Sequence, residues 1–114
     1  MGKTVRVGNL IYGKLNSVCA TYPLVAENTA KFPFIIYRTT AQRPESSKDG
    51  IHEWDYTIQV DVVDTKYDSV LDLCDQTIDK LLELEESLDI NIQEISENYI
   101  DDAYVKEIII NIKL

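Results

Sequence analysis

The chain has 114 residues, of which 45% are hydrophobic and 27% are charged, and its formal net charge is −9. This balance is typical of one globular domain and excludes a chain that is disordered by composition. The acidity predicts no specific nucleic-acid binding and no membrane-surface binding, since both depend on clustered Lys and Arg.

The N-terminal segment predicts a helix over residues 4–16. Val7, Ile11 and Leu15 follow one another at a spacing of four, which places them on one helical face. This face is expected to pack on a sheet.

Two strands are predicted next, over residues 18–25 and 33–42. The polar segment 27–31 between them has a length compatible with a hairpin, and Pro23 predicts an edge strand because proline cannot donate to a sheet ladder. Residues 43–50 contain Pro, Gly, two Ser and charges of both signs but no apolar residue, which predicts a long, exposed and mobile loop.

The clearest strand of the sequence is predicted over residues 52–62. Its positions alternate strictly, so one face is expected to be buried and the other wet. The predicted buried positions are His52, Trp54, Tyr56, Ile58, Val60 and Val62.

The strongest helix is predicted over residues 66–86. Its apolar positions follow the i, i+3, i+4, i+7 template, and Thr65–Asp68 resembles a capping box. Four carboxylates on the opposite side, Asp68, Asp72, Asp75 and Asp79, are interpreted as a solvated helix face rather than a cation site.

Two further strands are predicted over residues 88–95 and 104–114, joined by an acidic turn over 96–102. The sequence therefore predicts an α+β fold with a mostly antiparallel sheet of about five strands and two helices, in the order α-β-β-β-α-β-β. Residues 1–114 are expected to form a single domain.

No catalytic or metal-binding constellation is visible in the sequence. His52 is the sole histidine, and Glu53 and Asp55 point away from it across the strand. Cys19 and Cys74 lack the close-spaced partners of a zinc site. We therefore predict no enzymatic activity, no cofactor and no metal.

Targeting signals are also not apparent. No stretch approaches the roughly 18 apolar residues of a membrane span, and the N-terminus lacks the apolar core of a signal peptide. The two cysteines are accordingly expected to be free thiols in a reducing cytoplasm.

The predicted strands carry more apolar surface than a domain with two helices can cover. The strands around 34–37 and 107–112 are apolar on both faces, which is typical of strands that are covered on both sides. Two helices cannot cover all of this surface. Either the N-terminal helix crosses to the second face or another chain covers it, and the second alternative is favoured.

The order of these segments resembles the tail completion proteins of long-tailed bacteriophages, also called tail-to-head joining or tail terminator proteins. The resemblance rests on Tyr22-Pro23, on the segment 32–37 (Phe-Pro-Phe-Ile-Ile-Tyr), on Gln59-Val60-Asp61-Val62 and on Tyr67, and it covers most of the chain.

This resemblance implies a small α+β subunit that is made in the host bacterial cytoplasm and resides in the virion tail. It implies a homo-oligomeric ring, commonly a hexamer, at the head-proximal end of the tail tube, in contact with the tail tube protein and a head-connector protein. Such a ring stops tube growth and joins the tail to the head. The subunit interface is predicted to include Ile109, Arg38, Arg43, Pro44 and Lys48.

Two other hypotheses belong to different classes of protein. A small acidic protein-binding module or inhibitor, monomeric or dimeric and without catalysis, would suit a basic partner. A small hydrolase with a carboxylate site is the least supported, because no nucleophile–base pair is apparent.

Overall fold

A computed structural model of the protein describes residues 3–47 and 50–114. In chain order its elements are α1 (Lys3–Asn16), β1 (Ala20–Pro23), β2 (Phe34–Ser47), β3 (Gly50–Asp64), α2 (Tyr67–Leu82), a 3-10 turn (Glu83–Glu86), β4 (Asp89–Ile100) and β5 (Ala103–Lys113). The strands form one mixed sheet in the order β1-β2-β3-β5-β4, antiparallel except for the β1–β2 pair. The predicted α+β class and element order are confirmed.

Both helices pack on the same face of the sheet. The apolar stripe of α1 and that of α2 join one core with alternate residues of β3 and β5, as the period of each segment predicts. Fully buried members of this core include Ile11, Leu15, Ile35, Val60, Val62, Val70, Leu81, Ile108, Ile110 and Ile112. Burial of each such side chain contributes about 1.5–3 kcal/mol to folding.

The start of α2 differs from the predicted capping box. The N-cap residue is Lys66, and no side chain caps it. Asp64, which is buried at the end of β3, instead connects the strand to the helix through hydrogen bonds. Its carboxylate accepts hydrogen bonds from the backbone N–H of Thr65 at 2.7 Å and from the hydroxyl of Ser69.

The predicted hairpin between the first two strands is wrong, because β1 and β2 are parallel. Ala20 pairs with Phe34 and Pro23 with Tyr37. A four-residue strand spans only about 13 Å, so the ten residues 24–33 suffice to return the chain to the level at which β1 began. The prediction extended both strands into this connection, which left only enough residues for a tight turn.

The predicted loop over residues 43–50 is also wrong where the structure describes it. Residues 43–47 continue β2 and pair with β3 as far as the Ser47–Gly50 pair. The strand β5 ends near Trp54, whose backbone N–H and C=O bond to Leu114, so β2 and β3 extend beyond it as a two-stranded ribbon. We call residues 43–47 and 50–53 the arm. The described side chains of the arm, at positions 43–45 and 53, are exposed and belong to neither apolar cluster.

The predicted acidic turn over residues 96–102 is shorter than expected. Strand β4 continues to Ile100, and the reversal takes only Asp101 and Asp102, whose φ angles are 51° and 62°. Two consecutive left-handed residues match the twist of a two-residue hairpin, and Asp tolerates this conformation better than most residues.

Candidate interaction surface

Neither helix packs on the sheet face opposite the core, which we call the open face. The N-terminal helix does not cross over, because its apolar residues Val7, Ile11 and Leu15 lie in the same core as α2. The open face therefore carries the alternate side chains of the central strands, and Ile109 of β5 is among them, half-buried between its neighbours.

The open face changes character along the strands. At one end Phe34, Val63 and Val105 form a cross-strand row and a small apolar cluster with Ala103. Beside it lies a groove of about 270 Å³, lined mainly by this cluster together with Phe32, Ile36, Asp61, Ile100, Asp101 and Glu107. This end of the face is therefore apolar with an acidic rim.

Two carboxylates face each other in the next row, where Asp61 of β3 pairs in register with Glu107 of β5. Burial raises the pKa of Asp61, and the charge of Glu107 adds to that rise. The hydrogen bond that Gln59 donates at 2.9 Å and the charge of Arg38 act in the opposite direction. The apolar groove thus ends on a pair of like charges.

The third row brings together two of the predicted interface residues. Arg38 of β2, Gln59 of β3, Ile109 of β5 and Glu94 of β4 follow one another across the sheet. Arg38 is exposed and donates from Nη2 to Oε1 of Gln59 at 3.5 Å. The structure therefore places Arg38 and Ile109 on the same face, two strands apart.

The other predicted interface residues lie further along the strands. Arg43 is exposed at the base of the arm, opposite Asp55. Pro44 is opposite Trp54, in the alternate position of the pleat, so it belongs to the helix side of the sheet rather than to the open face. Lys48 lies outside the described residues.

A cluster of three tyrosines was not anticipated from the sequence. The ring of Tyr104 lies 5.3 Å from that of Tyr67 and 4.9 Å from that of Tyr99. The hydroxyl of Tyr67 donates to the carboxylate of Glu97, which Lys106 also contacts at 3.1 Å. The hydrogen bond to Glu97 raises the pKa of Tyr67, and together with the one from Lys106 it lowers the pKa of Glu97.

The signal for this cluster was present in the chain but depended on the β4–β5 turn. Tyr99 and Tyr104 flank Asp101-Asp102, and they become direct cross-strand partners only when those two residues form the whole turn. A seven-residue turn over 96–102 would have separated them.

Both cysteines are free in the structure, with Cys74 buried and Cys19 half-buried. Burial, aided by the charge of Asp64, raises the pKa of the Cys19 thiol to about 11. Burial likewise raises the pKa of Cys74. Both thiols are therefore protonated near neutral pH and poorly suited to act as nucleophiles.

Residues suited to metal binding or catalysis are dispersed in the described part of the chain. The carboxylates Asp68, Asp72, Asp75 and Asp79 are all exposed on α2. Across residues 3–47 and 50–114, no three His, Cys, Asp or Glu side chains are placed to hold a metal ion. The side chain of His52 is not among those described. No described helix is long and apolar enough to cross a membrane.

Comparisons with known proteins give a structural likeness only. No protein-family model matches the sequence, and no curated protein sequence does. One solved structure of similar fold is a chain from the "Virion of native gene transfer agent (GTA) particle", with a TM-score of 0.56 and 8% identity over 90% of each chain. At this identity the likeness shows a shared fold, and it spans nearly the whole of both chains.

Proposed function

We propose that this chain is a structural subunit of a phage-type virion. The observation that carries the proposal is the fold shared with a chain of a gene transfer agent virion over 90% of both chains. The sequence pattern from Tyr22 to Tyr67 supports the more specific role of a tail completion subunit. In that role, copies form a ring, commonly a hexamer, at the head-proximal end of the tail tube.

The open face supports an assembly role. It leaves the groove beside Phe34 and the row containing Arg38 and Ile109 without a covering helix. The groove is lined mainly by apolar side chains, and an uncovered apolar groove of this kind often marks a contact with another chain. In the proposed virion that chain is another copy, the tail tube protein or the head-connector protein.

We assign the chain no catalytic activity. The protonated state of Cys19, the exposure of the α2 carboxylates and the dispersal of ionisable groups in the described residues support this assignment. A ring subunit that ends a polymer and joins two structures acts through its surfaces alone.

Deletion of the gene for this chain tests the tail completion role. Electron micrographs of the producing cells should show tail tubes of excess and irregular length beside unjoined heads. Expression of the intact chain in trans should restore joined particles. Joined virions with tubes of normal length after the deletion would contradict the role.

A second function has one specific observation in its favour. The outer surface of α2 carries Asp68, Asp72, Asp75 and Asp79, all exposed, and such a surface suits a basic protein partner. A small acidic binding module would leave virion morphology unchanged when its gene is deleted, so the same experiment separates the two functions.

A further inference from the structure

Charge is distributed very unevenly between the two halves of the chain, which occupy opposite lateral ends of the sheet rather than its two faces. Residues 3–47, which form α1, β1 and β2, contain six Lys or Arg and two Glu. Residues 50–114, which form β3, α2, β4 and β5, contain four Lys and seventeen Asp or Glu. A net charge of −9 thus conceals a positive side and a strongly negative side.

The contrast is sharpest in the outermost elements. Residues 3–23, which include α1 and the edge strand β1, contain Lys3, Arg6 and Lys14 and no acidic residue. Residues 89–102, which form the opposite edge strand β4 and its turn, contain five acidic residues and no Lys or Arg. We call residues 3–25 the basic edge and residues 89–102 the acidic edge.

Each edge also exposes apolar side chains. On the basic edge Leu24 and Val25 are 65% and 69% exposed, and Val5 and Tyr12 of α1 are exposed as well. On the acidic edge the exposed apolar residues are Ile95, Tyr99 and Ile100. Apolar groups surrounded by charges of one sign are the composition expected of a specific protein contact.

The charged groups at these edges are only partly engaged within the chain. On the basic edge Lys14 is paired with Glu83 at 2.9 Å. Among the described residues no carboxylate lies within ion-pair distance of Arg6, which is exposed. On the acidic edge Glu97 is held by Lys106, whereas Asp89 and Glu94 form no ion pair with a described residue and are exposed. Complementary charges therefore remain unsatisfied on opposite sides of one molecule.

We infer that, in the proposed assembly and resting on that proposal, the basic edge of one copy docks on the acidic edge of the next. Opposite charges on opposite sides favour a heterologous, head-to-tail contact, which closes into a ring when the rotation between copies permits. A contact between two identical edges would bring like charges together and is disfavoured. The occupant of each edge is thus a second copy of this chain.

The net charge of −9 opposes self-association over long distances, but salt limits that opposition. At 0.15 M ionic strength the screening length is about 8 Å. Charges brought into contact across the two edges then outweigh the repulsion between the remote parts of the two copies. Association should accordingly be measured at this ionic strength and should weaken at about 1 M salt.

The test uses two charge-reversed variants of the full chain. In the first, Lys3→Glu and Arg6→Glu make the basic edge acidic, and acidic residues in the first turn are favourable for α1. In the second, Asp89→Lys and Glu94→Lys make the acidic edge basic, and Lys is well tolerated on edge strands. Circular dichroism confirms that both variants remain folded.

Sedimentation velocity at protein concentrations up to about 1 mM measures assembly. The wild type should form species larger than a monomer, and each variant alone should associate at least about tenfold more weakly. An equimolar mixture of the two variants should regain assembly, because every junction then pairs an acidic with a basic edge. A control with Asp72→Lys and Asp79→Lys changes the net charge by the same amount as the second variant, but on α2, and should assemble like the wild type.

Three results would overturn the pairing of these edges: a monomeric wild type at about 1 mM, variants that assemble normally, or a mixture that stays monomeric. None of them affects the gene-deletion phenotype. If the deletion gives overlong tubes and the mixture stays monomeric, the virion role stands and this contact is wrong. If the mixture assembles and the deletion has no effect on tubes, the contact stands and the tail completion role is wrong.

Discussion

The two faces of the sheet differ most clearly at two adjacent residues of β5. Ile110 points into the core under the helices and is fully buried, whereas Ile109 points to the open face and is half-buried. The two residues have the same side chain and lie on the same strand between β3 and β4. The difference teaches that the helix face holds the main core of the domain, whereas the open face has only the small cluster of Val63, Ala103 and Val105 and no covering helix.

This division extends across the whole sheet. On the helix side the central cross-strand partners are apolar and join a single core, and polar partners such as Lys106 and Glu97 lie towards its ends. On the open face the rows run from the apolar cluster at Phe34, through the acidic pair at Asp61 and Glu107, to the row with Arg38.

Aspartate substitutions at the two isoleucines should separate the faces with the largest effect. Ile110→Asp places an unpaired charge in the core, which should unfold the domain. Ile109→Asp should leave a folded subunit that no longer adds to purified tail tubes, because the new charge lies on the open face. Circular dichroism and multi-angle light scattering measure fold and size together. Unfolding of the Ile109 variant would show that the open face belongs to the core.

Alanine substitutions sharpen the same contrast quantitatively. Ile110→Ala removes a fully buried side chain and should cost about 2–5 kcal/mol of unfolding free energy. Ile109→Ala should cost less than half as much, because its side chain loses fewer packed neighbours. Urea unfolding of both variants measures the two costs, and equal costs would show that the faces do not differ in packing.

The sequence predicts the helix face well because burial imposes a period there. The alternation in β3 placed Tyr56, Ile58, Val60 and Val62 inside, and all four are buried. The stripes of α1 and α2 likewise pointed to the core. These residues have one dominant environment, so the pattern of polarity alone determines which side they face.

The remaining features depended on pairings that polarity does not encode. The arm is polar because it lies beyond the core, and its composition is therefore that of a loop although its backbone is paired. The direction of β1 depended on where the 24–33 connection begins, and the tyrosine cluster depended on a two-residue turn. The edges were identifiable only after the strand order placed β1 and β4 at opposite ends of the sheet.

Hydrogen exchange should distinguish the arm from the sheet that the helices cover. Backbone amides of residues 43–47 and 50–53 are paired within a two-stranded ribbon, whereas those of residues 58–62 lie between two neighbouring strands and under α2. Local opening of the arm should cost less, and its amides should exchange at least about tenfold faster. Equal protection in a monomer would mean that the arm is as stable as the core.

The smallest effect concerns the charge of Asp61 on the open face. Its pKa is raised by burial and by Glu107, so the folded state binds this proton more tightly than the unfolded state does. At a pH above the raised pKa the group is ionised in both states, and the ionised carboxylate destabilises the folded state. As the pH falls through the raised pKa of the folded state, the native protein takes up the proton and the penalty decreases, and it is lost below the pKa of the unfolded chain.

Asp61→Asn should therefore stabilise the domain at pH 7, by less than about 1 kcal/mol because the group is only half-buried. The gain should be much smaller at about pH 3.5, below the ordinary value of 3.8 for the unfolded chain. Asp75→Asn on the exposed surface of α2 removes the same charge and serves as the control for general repulsion. Urea unfolding of the wild type and both variants at the two pH values measures the difference. A larger gain from Asp75→Asn than from Asp61→Asn at pH 7 would mean that the open face tolerates its buried charge without cost, and the contrast between the two faces would then rest on packing alone.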